Sequence, residues 1–155
     1  MRIQVVSALI LLLAPTARAQ AVPAGWKTVK DAKNICQIAV PPEWTPWTDS
    51  AGAAVFRDPS IAIAVVTNQP GQAFKPLTES MLRLTGIRKE KLFENTTKRL
   101  FFQDRTSANT EEPNAYSGSV PAESGTCSCR VVFQKTIDQE TVKKIVLSLG
   151  PASGS

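Results

Sequence analysis

The sequence predicts an α+β fold: an antiparallel sheet with helices packed on it. Three observations carry this. Short segments of alternating apolar and polar residues, punctuated by Pro, Gly, Asn and Asp, recur between Trp26 and Thr136. The segment Ile61 to Thr67 is apolar on both faces, with Ile61, Ile63 and Val65 on one side and Ala62, Ala64 and Val66 on the other. That is the pattern of a central strand covered on both sides. Two stretches instead repeat their apolar residues at helical spacing, near 76–85 and 138–149.

In chain order, Trp26 to Val29 and Ile35 to Val40 read as strands around the polar turn Asp31-Ala32-Lys33-Asn34. Pro41-Pro42 stops the second, since proline cannot donate to a ladder. Trp44 and Trp47 follow in a proline-punctuated loop, then a short strand from Ala53 to Arg57 and a turn at Asp58-Pro59. After Ile61 to Thr67, a helix is expected from Pro76 to Thr85, with Leu77, Met81 and Leu84 on one face and Gly86 to end it. Lys91 to Asn95 is a strand or a continuation of that helix, and Lys98 to Gln103 is a strand. Thr106 to Pro113 is loop-like. Ala115 to Val120 and Thr126 to Thr136 form a hairpin whose second strand puts Cys127, Cys129, Val131 and Phe133 on one face. A closing helix carries the stripe Val142, Ile145, Val146 and Leu149. Its cap is Asp138, or a capping box of Thr136 with Gln139. Gly150 and Pro151 end it.

Ahead of this domain, Arg2, the apolar run Val5 to Ala14 and Ala17-Arg18-Ala19 have the three-part layout of a secretory signal peptide. The expected division is 1–19 signal peptide, 20–150 a single globular α+β domain, and 151–155 a disordered tail. No cysteine stands at the expected cut between Ala19 and Gln20 to take a lipid anchor. The product is expected to be periplasmic or secreted, without a transmembrane segment, because the apolar run is far shorter than the ~20 residues a spanning helix needs. Losing residues 1–19 leaves 136 of 155 residues, and losing Arg2 and Arg18 takes the net charge from +5 to +3.

The sequence contains no histidine, which excludes His-based triads, His-ligated metals and imidazole catalysis. No G-x-S-x-G, phosphate loop or paired-carboxylate motif is present. No catalytic residue, cofactor or metal is therefore expected. A single tyrosine and a net charge of +3 also speak against nucleic acid.

Three cysteines in an exported chain imply at least one disulfide with one thiol left over. Cys36, Cys127 and Cys129 are the candidates. Cys36 joined to one of the other two is favoured over a Cys127–Cys129 ring, with a slight preference for Cys129 because it is nearer the apolar Val131 and Phe133. A monomer is expected, with an intermolecular disulfide through the odd cysteine as the alternative.

The layout resembles PsbP-like domains. Ile38-Ala39-Val40-Pro41-Pro42-Glu43-Trp44 looks like the strand, proline, x, x, tryptophan opening of that family. The order that follows is also similar, over about residues 26 to 150: a hairpin with Phe56 and Ile61 to Val66, a helix, three strands and a C-terminal helix. The resemblance implies an αβα sandwich, usually exported in bacteria. Its members include an extrinsic subunit of photosystem II and a Ran-binding protein, so it implies binding roles without shared catalytic residues.

Three features invite a function. The stretch Arg83 to Arg105 holds seven Lys or Arg against Glu90, Glu94 and Asp104. Its Arg83, Arg88, Lys89 and Lys91 form a patch for an anionic partner, or else a solvated face. Trp44 and Trp47 are groove aromatics or core. Cys127-Ser128-Cys129 is a redox or soft-metal pair, or a structural disulfide with a spare buried thiol. Together these point to a non-enzymatic protein- or envelope-binding module, the alternative being a thiol-disulfide redox or metal-carrier protein using Cys127 and Cys129.

Overall fold

Asp31 organises the first hairpin. Its Oδ1 accepts hydrogen bonds from the backbone N–H of Ile35 and of Cys36, each at 2.7 Å, and its Oδ2 accepts from Lys33 N at 3.2 Å. Asn34 then takes φ 56°, a left-handed conformation that asparagine tolerates in turns. The polar turn read from the sequence thus joins β1 (Lys27–Lys30) to β2 (Cys36–Val40). The computed structural model describes residues 22–48, 54–58, 62–105, 114–134 and 137–152. The signal-peptide stretch, the Asp58-Pro59 turn beyond Asp58, and the loop 106–113 lie outside them.

The remaining strands are β3 (Thr45–Thr48), β4 (Ala54–Asp58), β5 (Ala62–Pro70), β6 (Leu92–Asn95), β7 (Leu100–Arg105), β8 (Asn114–Ala122), β9 (Gly125–Phe133) and β10 (Gly150–Pro151). They make two antiparallel sheets, one ordered β1-β2-β10 and the other β3-β4-β5-β9-β8-β7-β6. Lys91 to Asn95 resolves into a 3-10 turn at Lys89–Lys91 followed by strand β6, not a longer helix. The segment holding Trp47, expected as loop, is an edge strand paired to β4. The β8–β9 turn needs glycine at 125, where φ is 151° and a Cβ would collide with the carbonyl oxygen of Gln69.

The core lies between the inner face of the large sheet and a cover made of β2 and helix α2 (Gln139–Leu147). Ala64 and Val66 of β5, Val131 and Phe133 of β9, and Tyr116 of β8 meet Ile38 and Val40 of β2 and Val142, Ile145 and Val146 of α2. Asp138 caps α2, accepting from Glu140 N, Thr141 N and Thr141 Oγ1. These bonds, the Thr141 hydroxyl first, hold the Asp138 carboxyl below its usual range. Ser148 ends the helix and ties it to β2, its Oγ accepting from Ala39 N at 2.8 Å. The chain then extends beyond the boundary expected at residue 150. Gly150–Pro151 pairs with β2, and Ala152 N donates to Ile35 O at 2.7 Å.

The expected α+β sandwich of αβα type is not formed. The molecule is mostly β, two antiparallel sheets with two helices, and α1 (Glu79–Thr85) buries none of its residues. Met81 is 46% exposed and Leu84 86%. The reason is local. Thr78 at the N-cap and Gly86 with φ 70° at the C-cap delimit a seven-residue helix, so the stop and start signals act without any packed stripe. Among the described residues no second helical layer covers the outer face of the large sheet.

Candidate functional site

Strand order fixes where the site lies. β5 and β6 are consecutive among the strands, yet β9, β8 and β7 stand between them in the sheet. The connection from Gly71 to Lys91, which contains α1, must cross those three strands. It crosses on the outer face, and a concavity of about 640 Å³ lies beneath it.

The floor comes from side chains that point away from the core. β5 supplies Ile63, Val65 and Thr67, and β7 supplies Leu100 and Phe102. β9 adds Ser128, Arg130 and Val132, and β8 adds Ser117 and Ser119. The roof comes from the crossing strap, through Leu77, Thr85 and Ile87. Ser119 and Ser128 face each other in register and share a hydrogen bond at 3.0 Å, so the two hydroxyls partly satisfy one another. Arg130 and Asp104 form an ion pair at 3.0 Å on the same face.

The strap is pinned along its first third. Near its start, Gly71 N donates to Ser124 O at 2.8 Å and Thr126 Oγ1 donates to Gln72 O at 2.6 Å. Further on, the side-chain amide of Asn95 on β6 grips Leu77 twice: its Oδ1 accepts from Leu77 N at 2.8 Å and its Nδ2 donates to Leu77 O at 2.9 Å. This two-point clamp holds Leu77 over the floor. Beside the concavity is a smaller polar cleft of about 280 Å³ lined by Arg88, Lys91, Gln103, Asp104 and Asn114. Thr85 and Ile87 line both.

The residues singled out in the sequence are distributed unevenly around this site. Arg88 and Lys91 line the polar cleft, while Arg83 and Lys89 line a separate shallow depression with Glu79, to which Lys89 pairs at 3.1 Å. The four basic residues are thus split between two depressions that share Ile87. Trp44 is completely buried in the core, its backbone carbonyl accepting from Lys27 Nζ. Trp47 is 50% exposed on edge strand β3. Neither lines the concavity.

The disulfide joins Cys36 to Cys127, with Cα atoms 5.5 Å apart, and Cys129 is the free thiol. The slight preference for Cys129 is corrected. Cys127 and Cys129 share the inward face, so burial does not choose between them. Position along the strand does, because Cys36 begins β2 opposite the turn end of β9. Burial pushes the Cys129 thiol up to about 12. A buried, protonated thiol is unsuited to an intermolecular disulfide or to nucleophilic exchange. Among the described residues no group of three or more His, Cys, Asp or Glu stands where it would hold a metal.

The sequence reading missed Leu77, Phe102 and the outward Ile63 and Val65 as site residues. Ile63 and Val65 carry a signal in the two-faced apolar strand at Ile61 to Thr67, a pattern that reads equally as burial under a second layer. Asn95 gave no signal, since its role depends on a partner 18 residues away in sequence.

No family model matches the sequence, and no curated protein matches it. Among solved structures, a crystal structure from Bacteroides thetaiotaomicron is similar, with a TM-score of 0.54 and 11% sequence identity. The match covers 83% of this chain and 49% of that one, so the chain spans about half the length of its structural neighbour. At that identity the likeness is one of fold. The disulfide is compatible with an oxidising compartment. Among the described residues no helix is long and apolar enough to cross a membrane.

Proposed function

We propose that the protein is an exported, non-enzymatic binding module of the periplasm or extracellular space, and that the concavity under the Gly71–Lys91 strap takes the apolar part of its ligand. The observation that carries this is the outward set Ile63, Val65, Leu100 and Phe102, roofed by Leu77, Thr85 and Ile87 of a strap. A solvated sheet face alternates to polar residues, so apolar residues gathered on it in a concave site favour a ligand. The volume falls within the range of roughly 300–1,000 Å³ common to small-molecule pockets. The thiol-disulfide alternative has less support, because Cys127 is tied to Cys36 and Cys129 is buried.

The test is titration with the neutral, environment-sensitive dye Nile red. Val65→Asp places a carboxylate on the apolar floor and is expected to weaken dye binding by more than about tenfold, since a desolvated charge is costly. Lys144→Ala, exposed on α2 and across the sheet from the concavity, should leave binding unchanged. Equal binding by wild type and a folded Val65→Asp protein, checked by circular dichroism, overturns the proposal, as does no binding by wild type.

A further inference from the structure

We infer that the ligand is a free single-chain amphiphile with a carboxylate head, its chain in the concavity and its head in the adjoining cleft between Arg88 and Lys91. This rests on the concavity being a binding site, and it adds the chemistry of the head. The two spaces adjoin at Thr85 and Ile87, which line both, and one extended molecule would span that junction. They differ in character. The larger is floored mainly by aliphatic and aromatic carbon, while the smaller carries two cations.

The charge balance of the cleft favours an anion. Among the described residues Asp104 is its one carboxylate, and Arg130 engages it at 3.0 Å. Lys91 pairs with no carboxylate among the described residues. Arg88 touches Glu90 at 3.7 Å, with both side chains more than half exposed. A contact that long and solvated contributes little and yields readily to a better acceptor. A guanidinium and an ammonium next to an apolar chamber give a carboxylate head charge-assisted hydrogen bonds, while the chain loses its contact with water. A cationic head would meet two like charges there, and a neutral head would give neither a charge-assisted bond.

The experiment displaces Nile red from the full chain with three monomeric ligands of equal chain length: dodecanoate, dodecanol and dodecyltrimethylammonium. Dodecanoate should bind about tenfold or more tightly than dodecanol, and the cationic ligand most weakly. In Arg88→Gln/Lys91→Gln, dodecanoate should fall to the level of dodecanol while dodecanol itself is unchanged. Raising salt should weaken dodecanoate only. Equal affinity of dodecanoate and dodecanol for wild type, or no change in the double variant, overturns the assignment of the head but leaves the apolar site standing. If none of the three displaces the dye, the apolar site itself fails. Flotation with phosphatidylglycerol vesicles separates the source. Binding to vesicles without binding of monomeric dodecanoate overturns the inference in favour of a membrane surface.

Discussion

Gly118 of β8 lies directly under Val146 of α2: a Cβ at position 118 would stand 2.6 Å from Val146 Cγ1. Real carbon atoms do not approach that closely, so the absence of a side chain at 118 sets how near the helix comes to the sheet. Gly118→Ala is expected to lower the urea midpoint, by about 1–3 kcal/mol in stability, as overpacking does. Adding Val146→Ala should return part of the loss, because the two changes share one contact. A strictly additive double variant would show that the loss arises elsewhere.

Cys36 and Cys127 close a separation of 91 residues, stapling the small sheet to the centre of the large one. Replacing both by alanine is expected to cost about 2–4 kcal/mol. Cys129→Ala should leave the disulfide intact in a non-reducing peptide map. Appearance of a Cys36–Cys129 peptide in the wild type would contradict the assignment.

What the sequence made legible was local. The Asp31 turn, the β8–β9 hairpin, the inward face of Cys127, Cys129, Val131 and Phe133, and the capped helix α2 all follow from residues within about ten positions of one another. What it hid was relational. Leu77, Met81 and Leu84 have helical spacing, but spacing does not say whether anything lies beneath them. Ile63 and Val65 are apolar, which says they avoid water, not whether protein or ligand covers them. The crossing of β9, β8 and β7 by the strap is a consequence of strand order, which no local pattern encodes. The Asn95 clamp and the choice of Cys127 over Cys129 depend on the same long-range placement.

Cys129 should make the protein sensitive to alkali. Its thiol is held, by burial, at about 12 against an ordinary 9.0, so the native state keeps a proton that the unfolded chain gives up. The folded value lies above the unfolded one. The contribution is therefore complete below pH 9.0 and is lost as pH rises through that value toward 12. Thermal unfolding followed from pH 8 to 11 is expected to show a steeper fall for wild type than for Cys129→Ala. The same thiol should react with a disulfide reagent only after denaturant is added. Rapid modification under native conditions would contradict its burial.

The two helices should respond oppositely to substitution. Val142, Ile145 and Val146 of α2 are fully buried against the sheet, so Ile145→Ala removes packed atoms and leaves a cavity, at a cost of about 2–5 kcal/mol. Leu84 of α1 is 86% exposed and Met81 46%, so glutamates at both positions can reach water with their carboxylates. Exposed substitutions of this kind are expected to change stability by no more than about 0.5 kcal/mol each. Urea denaturation of Met81→Glu/Leu84→Glu beside Ile145→Ala decides the matter. A loss in the α1 variant as large as that of Ile145→Ala would mean that α1 packs as a layer on the sheet and that the outer face is closed. A near-neutral result leaves Met81 and Leu84 without a packing role, with Leu77, Thr85 and Ile87 as the strap residues that line the concavity.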